Sequence, residues 1–90
     1  TVTEVRASLT TAGTGANLVT LDFEQNTTSI LSTKITIDAT ELTSTTATTA
    51  PVISTSELTD DASITCDVDQ IDSGGVSAGL KMYLIGYKTL

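Results

Sequence analysis

The chain has 90 residues with four basic and eleven acidic side chains, a net charge of −7 and no histidine or tryptophan, and 20 of its residues are threonine. A single domain of this size, residues 1–90, buries roughly two-thirds of the surface its unfolded chain exposes, and the β-branched bias favours strands over helices. Four scattered cations, Arg6, Lys34, Lys81 and Lys88, cannot build the basic stripe that nucleic acid or an anionic membrane surface requires, which argues against both as partners.

Val5, Ala7 and Leu9 alternate with Arg6, Ser8 and Thr10, the period of a first half-buried strand. Thr11-Ala12-Gly13-Thr14-Gly15-Ala16-Asn17 follows as a small-residue, flexible connection. Its glycines are no phosphate cradle, because no helical pattern and no Gly-Lys-Ser/Thr ending come after them. Val19, Leu21 and Phe23 then alternate with outward Thr20, Asp22 and Glu24, and Gln25-Asn26-Thr27-Thr28 makes a turn. After Ile30 and Leu31, Thr33, Ile35 and Ile37 share a face opposite Lys34, Thr36 and Asp38.

Residues 42–50 have a strand-like threonine cadence stopped by Pro51. Good strands flank residues 43–49, which favours a threonine-rich strand over a glycosylated stalk. Val52 and Ile53 read as a buried plug, and residues 56–61 as a short helical turn or loop. Ile64, Cys66 and Val68 define the inner face of the next strand, with Thr65, Asp67 and Asp69 outward. Cys66 is the lone cysteine, so it forms no internal disulfide, and on that face it reads as a small core hydrophobe. Asp72-Ser73-Gly74-Gly75 is a strong turn signal.

The closing segment, residues 79–87, is apolar on both faces: Leu80, Met82 and Leu84 point one way, and Tyr83, Ile85 and Tyr87 the other. A small two-layer domain normally leaves one face to water. The second face, Tyr83, Ile85 and Tyr87, is therefore expected to meet another protein surface. The whole pattern gives six to eight short strands at the spacing of an all-β sandwich or barrel, without strand–helix alternation or internal repeat.

Chemistry is scarce. Without histidine there is no Ser-His-Asp or Cys-His arrangement and no Cys/His zinc site. A carboxylate pair could still cleave a glycosidic bond, but the acids sit mostly at outward, solvated positions, and three aromatic residues provide little platform for a sugar. A calcium loop started at Asp67 fails, since Ile71, Asp72 and Ala78 occupy its fifth, sixth and twelfth positions. Asp67 and Asp69 instead share a strand face where solvent or a cross-strand cation relieves their repulsion. The expectation is no catalytic residue, no cofactor and no metal. Asn26-Thr27-Thr28 satisfies the glycosylation sequon, which matters only on a eukaryotic secretory route. No basic leader opens the chain and no apolar run approaches the roughly 20 residues of a membrane helix. The abrupt, strand-like start reads as the trimmed end of something longer.

Four stretches, in this order, resemble a module of bacteriophage virion proteins, especially of marine and cyanobacterial phages. They are Glu4-Val5-Arg6-Ala7-Ser8-Leu9-Thr10-Thr11-Ala12-Gly13-Thr14-Gly15, Ser29-Ile30-Leu31-Ser32-Thr33-Lys34-Ile35-Thr36-Ile37-Asp38-Ala39, Asp67-Val68-Asp69-Gln70-Ile71 and Ala78-Gly79-Leu80-Lys81-Met82-Tyr83-Leu84-Ile85-Gly86. The turn before Ser29-Ile30-Leu31-Ser32 usually carries asparagine-glycine in such modules, whereas this chain has Asn26-Thr27. The resemblance implies a compact antiparallel, jelly-roll-like β-sandwich located on the virion, at the C-terminal end of a tail fibre or other surface protein. It also implies a homotrimer that contacts other virion proteins and a host surface glycan or protein. The expected function is a non-catalytic tail-fibre or appendage module that displays loops such as 13–17 and 72–77 for host attachment. A capsid decoration (cement) protein is the alternative, and a carbohydrate-binding module of a secreted enzyme the third reading.

Overall fold

The alternation of the sequence reappears as alternating burial, and it assembles an antiparallel all-β fold around one core. The structure, a computed structural model, describes residues 1–88. Its eight strands are β1 (Val2–Ser8), β2 (Val19–Gln25), β3 (Thr28–Ser29), β4 (Leu31–Thr33), β5 (Ile35–Ile37), β6 (Val52–Ile53), β7 (Ile64–Gln70) and β8 (Lys81–Gly86). Among the described residues a single 3-10 turn, Ser44–Thr46, is the one helical element. Val5, Ala7 and Leu9 from the first strand, Val19, Leu21 and Phe23 from the second, and Ile30, Leu31, Ile35 and Ile37 fill the core.

Pairing is nested in a jelly-roll-like order: β1 with β8, β2 with β7, and β4 with β6. β2 is a central strand, because Leu21 faces Val68 of β7 on one edge and Ile35 of β5 on the other. The outer edge of β1 is covered by residues 42–44. There the Leu9 N–H donates to the Leu42 carbonyl at 2.8 Å, and the Ala7 N–H donates to the buried Ser44 Oγ at 2.9 Å. β5 packs against both β1 and the 3-10 turn, which brings the two layers together on that side.

The opposite side is open. Among the described residues β8 pairs only with β1 and β7 only with β2, and these two outer strands make no substantial contact with each other. This corrects the reading of Cys66 and Val68 as core. Register places them beside Phe23 and Leu21, on the inner face as expected, yet Cys66 is exposed and Val68 is 52% exposed. Alternation assigned the face correctly, but no strand among the described residues stands opposite to cover it.

Two other expectations are corrected. Residues 43–49 form no strand: after one bridge between Thr43 and Ser8 the chain enters the 3-10 turn, whose first N–H groups are met by the Thr43 Oγ1 accepting from Thr45 N. Serine and threonine hydroxyls compete with ladder hydrogen bonds in this way. The Val52-Ile53 plug is partial, since Ile53 packs on the core while Val52 is half exposed. Loop 13–17 is tied by hydrogen bonds to the facing loop, as described below. The hairpin from β2 to β3 retains a mirror-image turn without glycine, with φ of 50° at Asn26 and 70° at Thr27.

The molecule is elongated, 44 × 22 × 21 Å, with two distinct ends. At the base the Thr1 ammonium donates to the Tyr87 carbonyl and the Tyr87 N–H returns to the Thr1 carbonyl, while Gln25 and Asn26 side chains hold the backbone of Thr59 and Ser63. At the other end, the tip, loops 10–17 and 71–79 lie together, joined by the bridge between Thr11 and Ala78. β1 and β7 run from base to tip, and β2 and β8 return.

Candidate functional site

β8 presents two faces with different surroundings. Leu84 and Met82 lie opposite Val5 and Ala7 and pack, half buried, on the core. Tyr83 lies opposite Arg6 and Ile85 opposite Glu4 on the outer face. Tyr83 is 44% exposed and Tyr87 61% exposed, while Ile85 is half buried. The two tyrosines do not share one hollow. Tyr83 lines a shallow depression of about 340 Å³ with Arg6, Ser8 and Thr43. Tyr87 lines a groove of about 580 Å³ at the base with Thr1, Glu57, Asp61 and Lys88. The Arg6 guanidinium is held by Glu4 at 2.9 Å, which leaves the surround of Tyr83 close to neutral.

The tip is built on Asp72, the first residue of the turn signal Asp72-Ser73-Gly74-Gly75. Its side chain is buried, with 2% of its surface exposed. Oδ2 accepts from the Thr14 and Val76 N–H groups, each at 3.1 Å. Oδ1 accepts from the Ser77 N–H at 3.3 Å and from the Ser77 hydroxyl. These donors stabilise the charged form, the Ser77 hydroxyl most and the Thr14 N–H next, and they hold the carboxyl below the ordinary carboxylate range against the opposing effect of burial. The Gly74 N–H closes the contact on the Thr14 carbonyl at 2.9 Å. Gly13 is required here, since a Cβ at that position would lie 2.6 Å from the Asp72 Cβ. The signal in the sequence was Asp72 ahead of Ser73-Gly74-Gly75, an arrangement in which aspartate bonds backbone N–H groups of its own turn.

A third feature is the outer face of the β2–β7 pair. Asp22, Glu24, Asp67 and Asp69 gather there, with Lys34 bonded to Asp69 at 2.6 Å as the cross-strand cation. Asp22 is buried rather than solvated, accepting from the Ser29 hydroxyl at 2.7 Å. A shared hydrogen bond with Asp67, followed by burial and the neighbouring charges, pushes the Glu24 carboxyl above its usual value. The Asp69 carboxylate raises the Lys34 ammonium. No group of three or more acidic or cysteine side chains among the described residues is arranged to hold a metal ion. No described helix is long and apolar enough to cross a membrane. Comparison with known protein families, with curated proteins and with solved structures finds no match to this chain.

Proposed function

We propose that the chain is a non-catalytic structural module of a bacteriophage virion: a homotrimeric tail-fibre or appendage domain that contributes to host attachment. The observation that carries this reading is the division of the molecule into two ends. Thr1 and Tyr87 are tied together at the base, and the rigid loop cluster on Asp72 stands at the tip of a body 44 Å long. Flanking chain or a supporting protein at the base leaves that tip free to meet a receptor. Display of one stiff loop set in several copies raises avidity without strong single contacts. The ordered likeness of the sequence to phage surface modules supports the same reading. The exposed face of β8, with Tyr83, Ile85 and Tyr87, is the surface through which copies associate, since tyrosines of this kind are favoured at interfaces.

Light scattering on the purified chain tests the association, with Tyr83→Glu and Ile85→Lys as variants. Each charge would be desolvated without a partner at the contact, a cost of about 3–5 kcal/mol, so both variants are expected to run as monomers. A monomeric wild type refutes the trimer. Counting copies per particle tests the location: a few copies fit a fibre or appendage, and a number matching the capsomers assigns the chain to decoration of the head instead.

A further inference from the structure

The open side of the sandwich brings together features that the self-association above does not yet use. β7 and β8 are its two free edges, seven and six residues long, and each carries a row of backbone N–H and C=O groups without a strand partner. Natural proteins protect such edges with proline or inward-pointing charge. Neither device is present: the inward residues are Ile64, Cys66 and Val68 on one edge, and Met82 and Leu84 on the other, with Leu80 just ahead of β8. Val68 is 52% and Leu80 37% exposed, so the apolar interior is uncovered along this side.

We infer that β8 of one copy pairs antiparallel with β7 of the next, around an axis parallel to the long dimension of the molecule and with the open sides turned towards that axis. The inference rests on the self-association proposed above but moves the contact from the outer face of β8 to its edge and inward row, leaving Tyr83 and Ile85 at the rim. Direction permits it. β7 runs from base to tip and β8 from tip to base, and rotation about the long axis preserves both, so neighbouring edges meet antiparallel. Rotation without translation also keeps each residue at its own height. The tip-ward end of β8, with Lys81, then stands beside the tip-ward end of β7 in the neighbour, with Asp69.

Charge selects this arrangement over like-with-like pairing. The outer face beside β7 holds four carboxylates against one lysine. Lys81, at the tip-ward end of β8, is exposed and has no ion-pair partner among the described residues. Two β7 edges paired together would set Asp67 and Asp69 against their own copies, whereas β8 brings a cation to them. The same contact places Met82 and Leu84 against the neighbour's inner face and flanks Tyr83 and Ile85 on the outer one. All copies then point their tips the same way.

Because the chain has one cysteine, a second one reads the pairing directly. Leu80→Cys, Met82→Cys and Leu84→Cys place a thiol along the inward row of β8, and Ser32→Cys, exposed on β4, serves as the control. Cross-strand neighbours have Cβ atoms about 4.5–5.5 Å apart, close to disulfide reach. Oxidation of the full chain with diamide, followed by non-reducing gel electrophoresis and intact mass, is expected to give intermolecular bonds between Cys66 and at least one β8 position. The ladder should end at the copy number measured by light scattering and exceed that of the control several-fold. Lys81→Glu, which leaves the core untouched, is expected to raise the dissociation constant about tenfold. An oligomer that cross-links no better than the control, or only within single chains, overturns the edge pairing while leaving association through β8 standing. A wild type that is monomeric by light scattering overturns both.

Discussion

Replacing Asp72 with asparagine tests whether the tip is fixed by a charge. The carboxylate receives four donors: three backbone N–H groups, from Thr14, Val76 and Ser77, and the Ser77 hydroxyl. Asparagine is nearly isosteric but has one acceptor oxygen, so it can serve the pair on one side only. Its amide NH2 would then face the other pair, donor against donor. Two charge-assisted bonds are lost, and part-buried donors on that side lose their acceptor. For a domain of this length that corresponds to a fall in melting temperature of roughly 15 °C.

The pH dependence separates a charge effect from a packing effect. The folded-state pKa of Asp72 lies below its unfolded value, so its contribution is fully present above the unfolded pKa of about 4. It is lost as pH falls through the lower folded-state value. Melting temperatures of wild type and Asp72→Asn, followed by circular dichroism, should differ by a constant amount from pH 7 to about pH 5 and converge as the pH is lowered towards 2. Other carboxylates titrate in both proteins and drop out of the difference. A gap that persists unchanged at pH 2.5, or no gap at pH 7, refutes the assignment of the tip to an ionised Asp72.

Two further substitutions probe the frame. Thr27 holds a φ of 70°, a conformation costly for a β-branched residue, so Thr27→Gly should stabilise the fold by about 1 kcal/mol in urea denaturation; a loss of stability would mean that the threonine side chain earns its place in the turn. Ser44→Ala removes the acceptor of the Ala7 N–H on the covered edge of β1, and should cost about 1–3 kcal/mol. If that variant melts like the wild type, the edge of β1 is not held by this hydroxyl.

The strands were legible because burial follows a period of two. Leu21 and Phe23 inward, with Thr20 and Glu24 towards the other face, needed no tertiary information, and the same holds for Ile35 and Ile37. Errors arose where a face was assigned correctly but its cover depended on the other layer. Cys66 and Val68 point inward, as read, and remain exposed because the sheets diverge at β7 and β8. Residues 43–49 misled for a different reason: threonine favours strands by propensity, but Ser44 is turned inward to cap the neighbouring strand, a role only the fold assigns. Asp72 was hidden because its donors come from both loops. Val76 and Ser77 are close in sequence, while Thr14 is 58 residues away.

The acidic balance and the open side belong to one physical problem. A threonine-rich β-protein with two unpaired edges is prone to indiscriminate strand addition. A net charge of −7 on 90 residues opposes random approach of copies, and the carboxylates beside β7 place part of that repulsion at one of the vulnerable edges. Lys81 locally reverses the sign on β8. In the proposed pairing one edge would repel its own kind and accept the other, a condition that favours closed rings over growing ladders when the geometry turns both edges to the same axis. Raising the ionic strength should therefore weaken two forces at once: the general repulsion that keeps the chain soluble, and the local attraction that aligns Lys81 with its acidic neighbour. If high salt leads to disordered aggregates rather than clean monomers, the repulsion was the force that kept the edges selective. Clean monomers would mean that the local attraction held the copies together.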